Sequence, residues 1–538
     1  LNERNELKKS KIMLKEDWLK FPEEDYNSDK LKSLQAFYQS IRDDVLDVDD
    51  ITWNDLDMDE IYMLMNNTQS AIGEEYLYAL LRKPCFSKEE LEERHRLMNF
   101  LHNDEGKRIE LQVKLRQIGK LSDISIYNYI NRLEKERAYS NIPHYLMAIG
   151  LFLSIGLIFI QPALGAISTI LCVINNIYRY YVRKAKIDKN LTVFSYFLRL
   201  LYNTDGITKL DTPELKQYTD RLRQDVGIFK SFRKGSEILV ARNASGDFKD
   251  AVLDYIRMLL HVDLIKYNSM LSFFQKNQQV LIRIYTNIGF LDSMVAAASF
   301  RDKLIYYSIP ELTKSKHPIL SVNGLYHPLL EEPIPNSITE DRSVLITGSN
   351  ASGKSTFIKT LAINALLSQT IYTSISKDYK ASYFMIYSSM ALRDSIFRNE
   401  SYYIVEIKSL KRILDRVNKD IPILCFIDEV LRGTNTLERI AASSRILTSL
   451  ARSNTLCFAA THDIELTHIL EHDYSNYHFQ ERIEDNQILF DYRLYKGRAI
   501  SRNAIKLLGL LGYSPDIIKA AEQAAEDFMK NGEWNIIK

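Results

Sequence analysis

The sequence has no excess of charge of either sign. It holds 70 lysine and arginine residues against 69 aspartate and glutamate residues, a formal net charge of +1 over 538 residues. A protein that binds nucleic acid strongly and without specificity carries a basic surplus, because its affinity comes from neutralising phosphates. The balance therefore does not favour a general nucleic-acid binder, although it leaves room for a local basic groove.

Cysteine is scarce as well, with four residues in the whole chain. They are scattered, and none forms a C-x-x-C pair or shows the spacing of a metal site. A disulfide framework is therefore not expected, and a reducing compartment is the simpler interpretation. The first ten residues, L-N-E-R-N-E-L-K-K-S, are polar, so no signal peptide is expected in them.

Charged residues are absent from one long stretch, Tyr145 to Tyr178, which contains 34 residues. A single membrane helix needs about 20 apolar residues, so this stretch is long enough for more than one. Gln161-Pro162 near its middle is a turn signal. The pattern predicts two short spanning helices joined at that turn, which is a transmembrane helical hairpin over residues 144–181.

Basic residues flank this stretch on both sides, as a hairpin with both ends in the cytosol requires. They are Arg132, Lys135, Arg137, Arg179, Arg183, Lys184, Lys186 and Lys189. Each half of the hairpin has about 16 residues, which is short for a full span. The alternative is a helical hairpin buried inside a soluble protein. The first interpretation predicts a cytoplasmic protein that is anchored to the cell membrane.

Outside this stretch, the pattern of the chain changes near residue 316. Before it, apolar residues recur at three- and four-residue spacing, as in V-L-D-Y-I-R-M-L-L, which predicts packed helices. After it, short β-rich runs alternate with helical stretches, which predicts an α/β domain with buried strands. The runs are S-V-L-I-T (343–347), Y-F-M-I-Y (383–387), I-L-C-F-I (423–427) and L-C-F-A-A (456–460).

The first run leads into G-S-N-A-S-G-K-S and then a helical T-F-I-K-T-L-A. This complete G-x-x-x-x-G-K-[ST] pattern, between a strand and a helix, predicts a phosphate-binding loop for ATP. Lys354 would reach the β- and γ-phosphates, Ser355 would bind Mg²⁺, and the helix N-terminus would face the phosphates. The predicted nucleotide-binding residues are Gly348, Ser349, Asn350, Ala351, Ser352, Gly353, Lys354, Ser355 and Thr356.

Two later runs end in candidate catalytic side chains. I-L-C-F-I is followed by Asp428 and Glu429, and a carboxylate at the end of a buried strand beside the phosphate-binding loop is the Walker B arrangement. Asp428 would bind Mg²⁺ mostly through water, and Glu429 would act as general base on the attacking water. L-C-F-A-A precedes Thr461-His462, where the histidine would contact the γ-phosphate. The alternatives are an exposed acidic pair and a structural histidine.

The order of these motifs resembles the ATPase of the MutS mismatch-repair family, a branch of the ABC-type ATPases. The segments that carry the resemblance follow the phosphate-binding loop and are S-Y-Y-I-V-E-I-K, I-D-E-V-L-R-G-T-N-T and A-T-H-D-I-E-L-T. The similarity extends upstream to L-Y-H-P (325–328) and downstream through Y-K-G-R-A to a helix near Pro515 to Ala525. Residues 65–84 also resemble the start of the family's helical core.

The resemblance implies a head-to-tail homodimer of ATPase domains with two composite sites. Asn350 would then hold phosphate oxygens, and Ser401 would reach the γ-phosphate bound by the other subunit. The alternative for Ser401 is a helix cap. Thr434 and Asn435 would lie at the dimer junction. The family's function further implies duplex DNA, and mismatched DNA in particular, as a partner.

The chain also departs from the family's pattern. About 55 residues precede the core-like segment, so we expect a truncated, hairpin-bearing branch that lacks the mismatch-reading domain. The hairpin interrupts the helical core, where the family has none. The letters F-P-E at 21–23 and F-Q-E at 479–481 match the family's Phe-x-Glu mismatch-reading motif. Neither lies in a suitable domain, so we interpret both matches as coincidence.

Together these patterns predict an α/β P-loop ATPase domain of the ABC type, preceded by an all-α core and lever domain that carries the transmembrane hairpin. The expected segments are a polar helical segment (1–54), the core and lever (55–143 and 182–315), the hairpin (144–181) and the ATPase domain with C-terminal dimerisation helices (316–538). The expected function is a membrane-associated, MutS-like ATPase. The alternatives are an ATP-gated DNA clamp without significant turnover and a membrane ATPase unrelated to DNA repair.

Overall fold

The structure is a computed structural model, in which the chain forms two compact units. Unit 1 contains Leu1–Arg42, Tyr62–Leu80 and Glu93–Lys303, and unit 2 contains Asp43–Ile61, Leu81–Glu92 and Leu304–Lys538. The residues that the structure describes are 2–22, 26–121, 124–136, 139–230, 255–315, 317–349, 351–390, 402–417, 420–484, 487–499, 505, 508, 512–532 and 534. Unit 2 thus includes two short segments from the N-terminal part of the chain, Asp43–Ile61 and Leu81–Glu92.

The first half of the chain is helical. Its helices are α1 (Asn2–Asp17), α2 (Ser28–Ile41), α3 (Asp50–Asp55), α4 (Met58–Met65), α5 (Ala71–Arg82), α6 (Lys88–Asn103), α7 (Glu105–Ile118), α8 (Ile126–Arg132), α9 (Ile142–Ile158), α10 (Pro162–Ile207), α11 (Lys216–Ile228), α12 (Val262–Lys276) and α13 (Gln278–Lys303). Of these, α3 lies wholly in unit 2. The helical interpretation of this region is therefore confirmed.

Helix α13 forms much of the core of unit 1. Leu281, Ile284, Ile288 and Leu291 recur at three- and four-residue spacing, and all four side chains are buried. This spacing places them on one face of the helix, where they can pack against neighbouring helices. Farther along, Ala296 to Ala298 are buried as well, because small side chains allow other elements to approach closely.

Two buried carboxylates fix helix starts in unit 1. Asp292 accepts hydrogen bonds from the backbone N–H (2.8 Å) and the hydroxyl (2.6 Å) of Ser70, just before α5. Glu75 accepts from the backbone N–H of Ile126 at 2.6 Å and from the hydroxyl of Tyr285 at 2.8 Å. Burial raises the pKa of Glu75 to about 7, although these hydrogen bonds oppose the rise.

The predicted hairpin is present as two packed helices joined by a short turn. Helix α9 ends at Ile158 and α10 begins at Pro162, so the predicted turn at Gln161-Pro162 is confirmed. Large apolar side chains of the pair are exposed rather than packed against the rest of the chain. Those more than half exposed include Tyr145, Leu146, Ile149, Phe152, Leu153, Phe159, Ile160, Leu164, Ile167, Ile170, Leu171, Ile174 and Tyr178.

Length and hydropathy single out a different helix as a candidate membrane span. Among the described residues, α13 alone passes both tests, and its most apolar window is 72% buried inside the protein. A largely buried apolar helix is also what the core of a soluble domain contains. Helix α9 is apolar but has 17 residues. The structure therefore does not show a transmembrane hairpin, and that part of the interpretation stays a prediction.

Unit 2 combines β-sheets with helices. Its strands are β1 (Glu311–Thr313), β2 (Leu320–Leu325), β3 (Asn336–Glu340), β4 (Ser343–Thr347), β5 (Asp378–Ser382), β6 (Met385–Ser389), β7 (Ile423–Asp428), β8 (Thr455–Ala460), β9 (Tyr474–His478), β10 (Glu481–Glu484), β11 (Gln487–Phe490) and β12 (Tyr495–Lys496). Its helices beyond residue 304 are α14 (Lys354–Thr370), α15 (Tyr402–Asp415), α16 (Thr436–Ala451), α17 (Ile464–Ile469) and α18 (Pro515–Asn531). The four predicted strands and the predicted final helix are all present.

The central sheet has the strand order β12-β9-β4-β8-β7-β6. From β9 to β6 the strands are parallel, so their carboxyl ends meet at one edge of the sheet. Ile346 of β4 and Asp428 of β7 both pair with Ala460 of β8, so these three strands end level. Strand β8 lies between the Walker B strand β7 and the phosphate-loop strand β4, because crossover connections rather than sequence order set the neighbours in a parallel sheet.

The edge strand β6 is covered by α3, from the N-terminal part of the chain. The Thr52 hydroxyl accepts a hydrogen bond from the Ser388 backbone N–H at 3.0 Å. Asp55 accepts from the Ser388 hydroxyl at 2.6 Å and from the Met390 backbone N–H at 2.9 Å. These bonds satisfy polar groups at an exposed sheet edge. They explain why the segment Asp43–Ile61 belongs to unit 2.

Candidate functional site

Strand β4 leads directly into the loop from Gly348 to Gly353, after which α14 begins. Gly348 (φ 150°) and Gly353 (φ 107°) adopt backbone angles that favour glycine. A Cβ on Gly348 would lie 2.8 Å from the backbone oxygen of Phe479, so the loop is also closely packed there. The two glycines of the pattern therefore have a local structural cause. Asn350, in the middle of the loop, lies outside the described residues.

The ammonium group of Lys354 turns back towards the loop. Its Nζ donates hydrogen bonds to the carbonyl oxygens of Gly348 and Ser349, each at 2.8 Å. It also lies 3.4 Å from Nε2 of His462. Burial lowers the pKa of Lys354, and nearby carboxylates oppose that change. The loop thus holds a partly desolvated cation on its own carbonyl groups.

Other groups of the loop are available to an anionic ligand. The Ser352 hydroxyl is buried and, among the described residues, has no hydrogen-bond partner. Ala351 takes a left-handed conformation (φ 62°) and is exposed. Ser355 and Thr356, in the first turn of α14, are exposed as well. The first backbone N–H groups of a helix lack partners within the helix, so this end of α14 favours negative charge.

The ends of β7 and β8 bring Glu429 and His462 together beside the loop. His462 Nε2 lies 3.3 Å from Glu429 Oε1, in addition to its approach to Lys354. Glu429 has a left-handed backbone (φ 59°), and its N–H donates to the Ala460 carbonyl at 2.9 Å. Asp428 is half-buried at the end of β7, and its charge raises the pKa of Lys354. These predicted site residues, from three strand ends, therefore lie close together.

The pKa of the Glu429 carboxyl lies below its usual range. Burial raises this pKa, but the hydrogen bond with His462 and the positive charges of Arg432 and Lys354 together outweigh burial. Glu429 is therefore an anion at neutral pH. This is the protonation state that a general base requires.

Two arginines of the site were missed by the sequence analysis. Nε of Arg432 forms an ion pair with Oε2 of Glu429. Arg439, in the first turns of α16, binds Asp463 through Nε–Oδ2 (2.9 Å) and Nη2–Oδ1 (2.6 Å) contacts. Arg432 belongs to the R-G-T segment and could have been proposed from it, whereas no motif marks Arg439.

These side chains surround a cavity of about 240 Å³ next to the phosphate-binding loop. The cavity is lined by Glu429, Val430, Arg432, Arg439, Thr461, His462 and Asp463. Both positively and negatively charged side chains line it, and the only lining residue with a purely apolar side chain is Val430. The cavity is thus suited to a polar, charged ligand rather than an apolar one.

Glu406 on α15 supports the turn that follows β7. Its Oε1 accepts hydrogen bonds from the backbone N–H groups of Leu431 and Arg432, the latter at 3.3 Å. Leu431 has a left-handed backbone (φ 60°), which a non-glycine residue adopts only where its surroundings hold it. Burial raises the pKa of Glu406, while these backbone hydrogen bonds lower it. The sequence analysis quoted the segment of Glu406 without assigning it this role.

The F-Q-E letters at 479–481 also lie at this site. The Phe479 backbone oxygen packs against Gly348, and Glu481 accepts a hydrogen bond from the Ser349 hydroxyl at 2.7 Å. Tyr492 lies on the other glycine, since a Cβ on Gly353 would be 3.3 Å from its ring. Phe479, Glu481 and Tyr492 thus pack against the phosphate-binding loop or bind it. Of the F-P-E letters at 21–23, the glutamate lies outside the described residues.

The residues expected to act across a dimer have mixed outcomes. Ser401 lies outside the described residues. Asn435 is the N-cap of α16, and its side chain accepts from the Glu438 backbone N–H at 3.0 Å. The Thr434 hydroxyl donates to the Glu438 carboxylate at 3.2 Å. Both residues thus have a local role within one chain, and their place at a dimer junction stays a prediction.

Comparison with known proteins gives a consistent picture for the C-terminal half. Residues 344–529 match the family model of MutS domain V. The DNA mismatch repair protein MSH3 of Candida albicans is 27% identical over 310 residues, or 52% of this chain and 29% of that protein. The DNA mismatch repair protein MutS of Thermotoga maritima is 27% identical over 277 residues, or 49% of this chain and 34% of that protein.

A human relative has a similar extent of match. MutS protein homolog 4 of Homo sapiens is 29% identical over 287 residues, which is 50% of this chain and 30% of that protein. The chain thus spans about a third of the length of the curated relatives it matches. The matched region includes the phosphate-binding loop and the cavity beside it.

Proposed function

We propose that this chain, which belongs to the MutS family, binds ATP and Mg²⁺ at the Gly348–Thr356 loop and hydrolyses the ATP. The observation that carries the proposal is the contact series from Lys354 to His462 to Glu429, with separations of 3.4 and 3.3 Å. It links a phosphate-binding loop to a carboxylate that is ionised at neutral pH. This combination is what phosphoryl transfer to water requires.

The proposed roles follow from these positions. The N–H groups at the start of α14 and the Lys354 ammonium group would hold phosphate oxygens, which would replace the loop carbonyls around Nζ. The Ser352 hydroxyl would gain a partner in the same step. His462 would donate a hydrogen bond to the γ-phosphate. Glu429 would accept a proton from the attacking water, whose oxygen bonds to the γ-phosphorus while the bond from that phosphorus to the β–γ bridging oxygen breaks and ADP leaves.

The magnesium site would be shared between protein and nucleotide. Within the described residues, no group of three or more histidine, cysteine or acidic side chains is arranged to hold a metal ion. Ser355 and Asp428, on the two sides of the loop, fit a site that takes its other ligands from phosphate oxygens and water. When bound, Mg²⁺ would neutralise charge that develops on the phosphate oxygens.

We further propose that the active form is a homodimer of the ATPase domain. Thr434 and Asn435 would lie at the junction, and Ser401 would contact the nucleotide of the other subunit. Hydrolysis should then depend on association, so the specific ATPase activity should rise with protein concentration. Sedimentation measured over the same concentration range would test this, and an activity that stays constant across the monomer–dimer transition would contradict it.

The proposed biological role is related to DNA mismatch repair, with duplex DNA as the partner. The support is the similarity to relatives that are named as DNA mismatch repair proteins. Filter binding to duplexes with and without a mispair, over a salt series, would test the role. Binding that weakens as salt increases is expected, because contacts with phosphates release counterions. No binding even at low salt would refute the DNA partner.

For the hairpin, we propose attachment to a membrane, with the ATPase domain in the cytoplasm. The support is the uncharged stretch from Tyr145 to Tyr178, with exposed apolar side chains and basic residues on both sides. Fractionation of cells that express the chain would test the attachment. Recovery in the membrane fraction is expected, and full recovery in the soluble fraction without detergent would contradict it.

The decisive test of hydrolysis is Glu429→Gln, because it removes the proposed base with little change in shape. ATP binding should persist, while kcat should fall by about 100-fold or more. Lys354→Ala is the complementary variant, and it should lose nucleotide binding itself. If Glu429→Gln hydrolyses ATP at the wild-type rate, the general-base assignment fails and the nucleotide-gated DNA clamp becomes the better account.

A further inference from the structure

The apolar hairpin, defined as residues 145–178 of α9 and α10, presents apolar side chains on more than one face. Phe152 and Leu153 of α9 are 62% and 69% exposed, although they are adjacent and therefore point in different directions. Ile170 and Leu171 of α10 are likewise 59% and 62% exposed. A groove for one protein partner would leave the opposite face polar. A lipid surrounding instead contacts all outward faces of the pair.

The length of the hairpin falls short of the bilayer. From Tyr145 to Ile160 there are 16 residues. At about 1.5 Å per residue they extend roughly 24 Å, against a hydrocarbon thickness of about 30 Å. If the base of the hairpin lies at one interface, its tip passes the bilayer midplane and ends before the far headgroups. Any tilt of the helices makes the tip shallower still.

The tip of the hairpin exposes large apolar side chains. Phe159 and Ile160 are 88% and 78% exposed, and they are among the most exposed large apolar side chains of the hairpin. Gln161 is the single polar side chain of the turn, and no charged residue lies near it. A loop that emerged on the far side would place these two side chains in the aqueous phase. Hydrocarbon is a better environment for both.

The backbone N–H groups of the turn at residues 159–162 are hydrogen-bonded within the protein. The N–H groups of Phe159, Ile160 and Gln161 donate to carbonyl groups of the last turn of α9, at 3.2, 3.1 and 2.8 Å. Pro162 has no N–H to satisfy. The Gln161 carbonyl accepts from the Gly165 N–H at 2.8 Å. Unpaired backbone N–H groups are what excludes most turns from hydrocarbon, and this turn has none at residues 159–162.

Polar side chains inside the hairpin are paired with one another. The Ser154 hydroxyl donates to the Leu151 carbonyl at 2.8 Å, and Thr169 donates to Ser154 at 3.2 Å across the two helices. Gly165 allows a close approach, since a Cβ there would lie 2.4 Å from the backbone nitrogen of Ile158. Small residues and hydroxyl bonds at the contact are typical of helices that pack in lipid.

The base of the hairpin has the opposite character. Tyr178 and Tyr181 are exposed, and tyrosine favours the membrane–water interface. Arg179 and Arg183 follow on the same helix and are exposed as well. The Arg183 guanidinium lies 5.0 Å from the ring centre of Tyr139, before α9. A basic and aromatic zone thus lies at one end of the hairpin, where it would meet anionic headgroups.

We infer that the α9–α10 hairpin enters a bilayer with anionic headgroups from one side and ends within the hydrocarbon, without crossing to the other face. The inference rests on the proposed membrane attachment and specifies how deeply the hairpin enters the bilayer. It also places the basic residues and both chain ends on the same side. The partner is the lipid bilayer itself, and a second copy of the hairpin or a soluble partner protein are outcomes that the test separates.

The test uses the full-length chain with single cysteines. Cys172 lies within the hairpin and is half-buried, whereas the other three cysteines are buried, so Cys172→Ser gives a background of low reactivity. Ile160→Cys reports on the tip. Tyr202→Cys is the matched control, because Tyr202 is 63% exposed on the same helix beyond the hairpin. Far-ultraviolet circular dichroism checks that each variant folds.

Each variant is added to sealed vesicles of phosphatidylcholine and phosphatidylglycerol. A membrane-impermeant maleimide is either added outside or trapped inside. We expect Tyr202→Cys to react at once from the outside. We expect Ile160→Cys to react from neither side until detergent is added. A fluorophore attached at position 160 should also be quenched by lipids brominated in their acyl chains, which requires contact with lipid rather than with protein.

The outcomes separate this inference from the attachment on which it rests. Reaction of Ile160→Cys with trapped maleimide would show that the tip crosses the bilayer, which overturns the inference but keeps the attachment. If the protein separates from the vesicles in a flotation gradient and both cysteines react with maleimide added outside, the attachment and the depth are both overturned. Protection of Ile160→Cys without quenching by brominated lipids would show that protein covers the tip, which overturns the inference.

Discussion

Arg439 and Asp463 form a bidentate ion pair that ties α16 to the loop after β8, next to His462. The two contacts are 2.9 and 2.6 Å long, and Asp463 is further fixed because its backbone N–H donates to the Thr461 hydroxyl at 3.0 Å. Through these two contacts Arg439 holds Asp463, the residue that follows His462 in the chain. Arg439 also lines the cavity, and we expect the main effect of the ion pair on hydrolysis to pass through the position of His462.

The first prediction concerns this ion pair. Arg439→Ala should lower kcat for ATP hydrolysis by about 10- to 100-fold and leave the KM for ATP nearly unchanged, because a histidine displaced by an ångström weakens the transition state more than the ground state. Steady-state kinetics over an ATP titration measure both constants.

Two further variants distinguish positioning from a general loss of structure. Arg439→Lys keeps a charge but not the bidentate geometry, so it should recover part of the lost kcat. Arg445→Ala, on the same helix, should change neither constant. Equal losses in the Arg439→Lys and Arg439→Ala variants together with an unfolded far-ultraviolet spectrum would argue that the pair acts on stability alone.

Strand β4 and the loop after it show why much of unit 2 could be predicted from sequence. A continuous apolar run is typical of a parallel strand covered on both faces, and all five residues of β4 are buried. The two glycines of the loop are required by backbone angles that few other residues adopt. Features of this kind depend on a few consecutive residues, so they can be predicted from the sequence.

Contacts between distant segments were harder to predict. Asp55 bonds to the backbone of Met390, 335 positions later, and Glu406 bonds to the backbone of Leu431, 25 positions later. Neither carboxylate belongs to a motif, because its role depends on where the fold places a partner. The exposure of the hairpin, in contrast, agrees with its composition.

The second prediction concerns Glu406. Glu406→Ala removes the acceptor for two backbone N–H groups, of which that of Leu431 belongs to a buried residue. Loss of a buried acceptor should lower the free energy of unfolding by about 1–3 kcal/mol. Glu406→Gln keeps one acceptor oxygen and should have a smaller effect. Urea unfolding compares the variants, and a larger loss for Gln than for Ala would contradict this account.

The third prediction tests the packing of the hairpin through its glycines. Gly165→Ala should separate α9 from α10, because the new Cβ would lie 2.4 Å from a backbone nitrogen and backbone cannot move aside easily. Gly156→Ala is the matched control, since a Cβ there meets no atom within 4 Å. With the protein in detergent solution, limited proteolysis near the turn should be faster for Gly165→Ala than for Gly156→Ala. Equal rates would show that the close approach has no effect on the hairpin.

The last prediction follows from the buried carboxyl of Glu75. Its pKa is about 7 in the folded protein, against an ordinary value of 4.5, because burial favours the neutral form. Between these two values the folded state keeps a proton that the unfolded chain has released. The stability of unit 1 should therefore be highest below about pH 4.5 as far as Glu75 is concerned, and this contribution should be lost as the pH rises to about 7.

The size of the effect is on the order of 3–4 kcal/mol, from about 1.4 kcal/mol per pH unit over that window. Glu75→Gln removes one titrating group, so it should reduce the dependence of stability on pH between about 5 and 7, while Asp292, whose pKa burial raises to about 6, keeps its own contribution. The exposed Glu134 supplies the control, because Glu134→Gln should leave the dependence as in the wild type. Hydrogen exchange of the Ile126 and Tyr127 amides, which donate to Glu75, reports the local stability. Protection of these amides that rises with pH through this window in the wild type would contradict the assignment, because the sign of the linkage is fixed by the raised pKa.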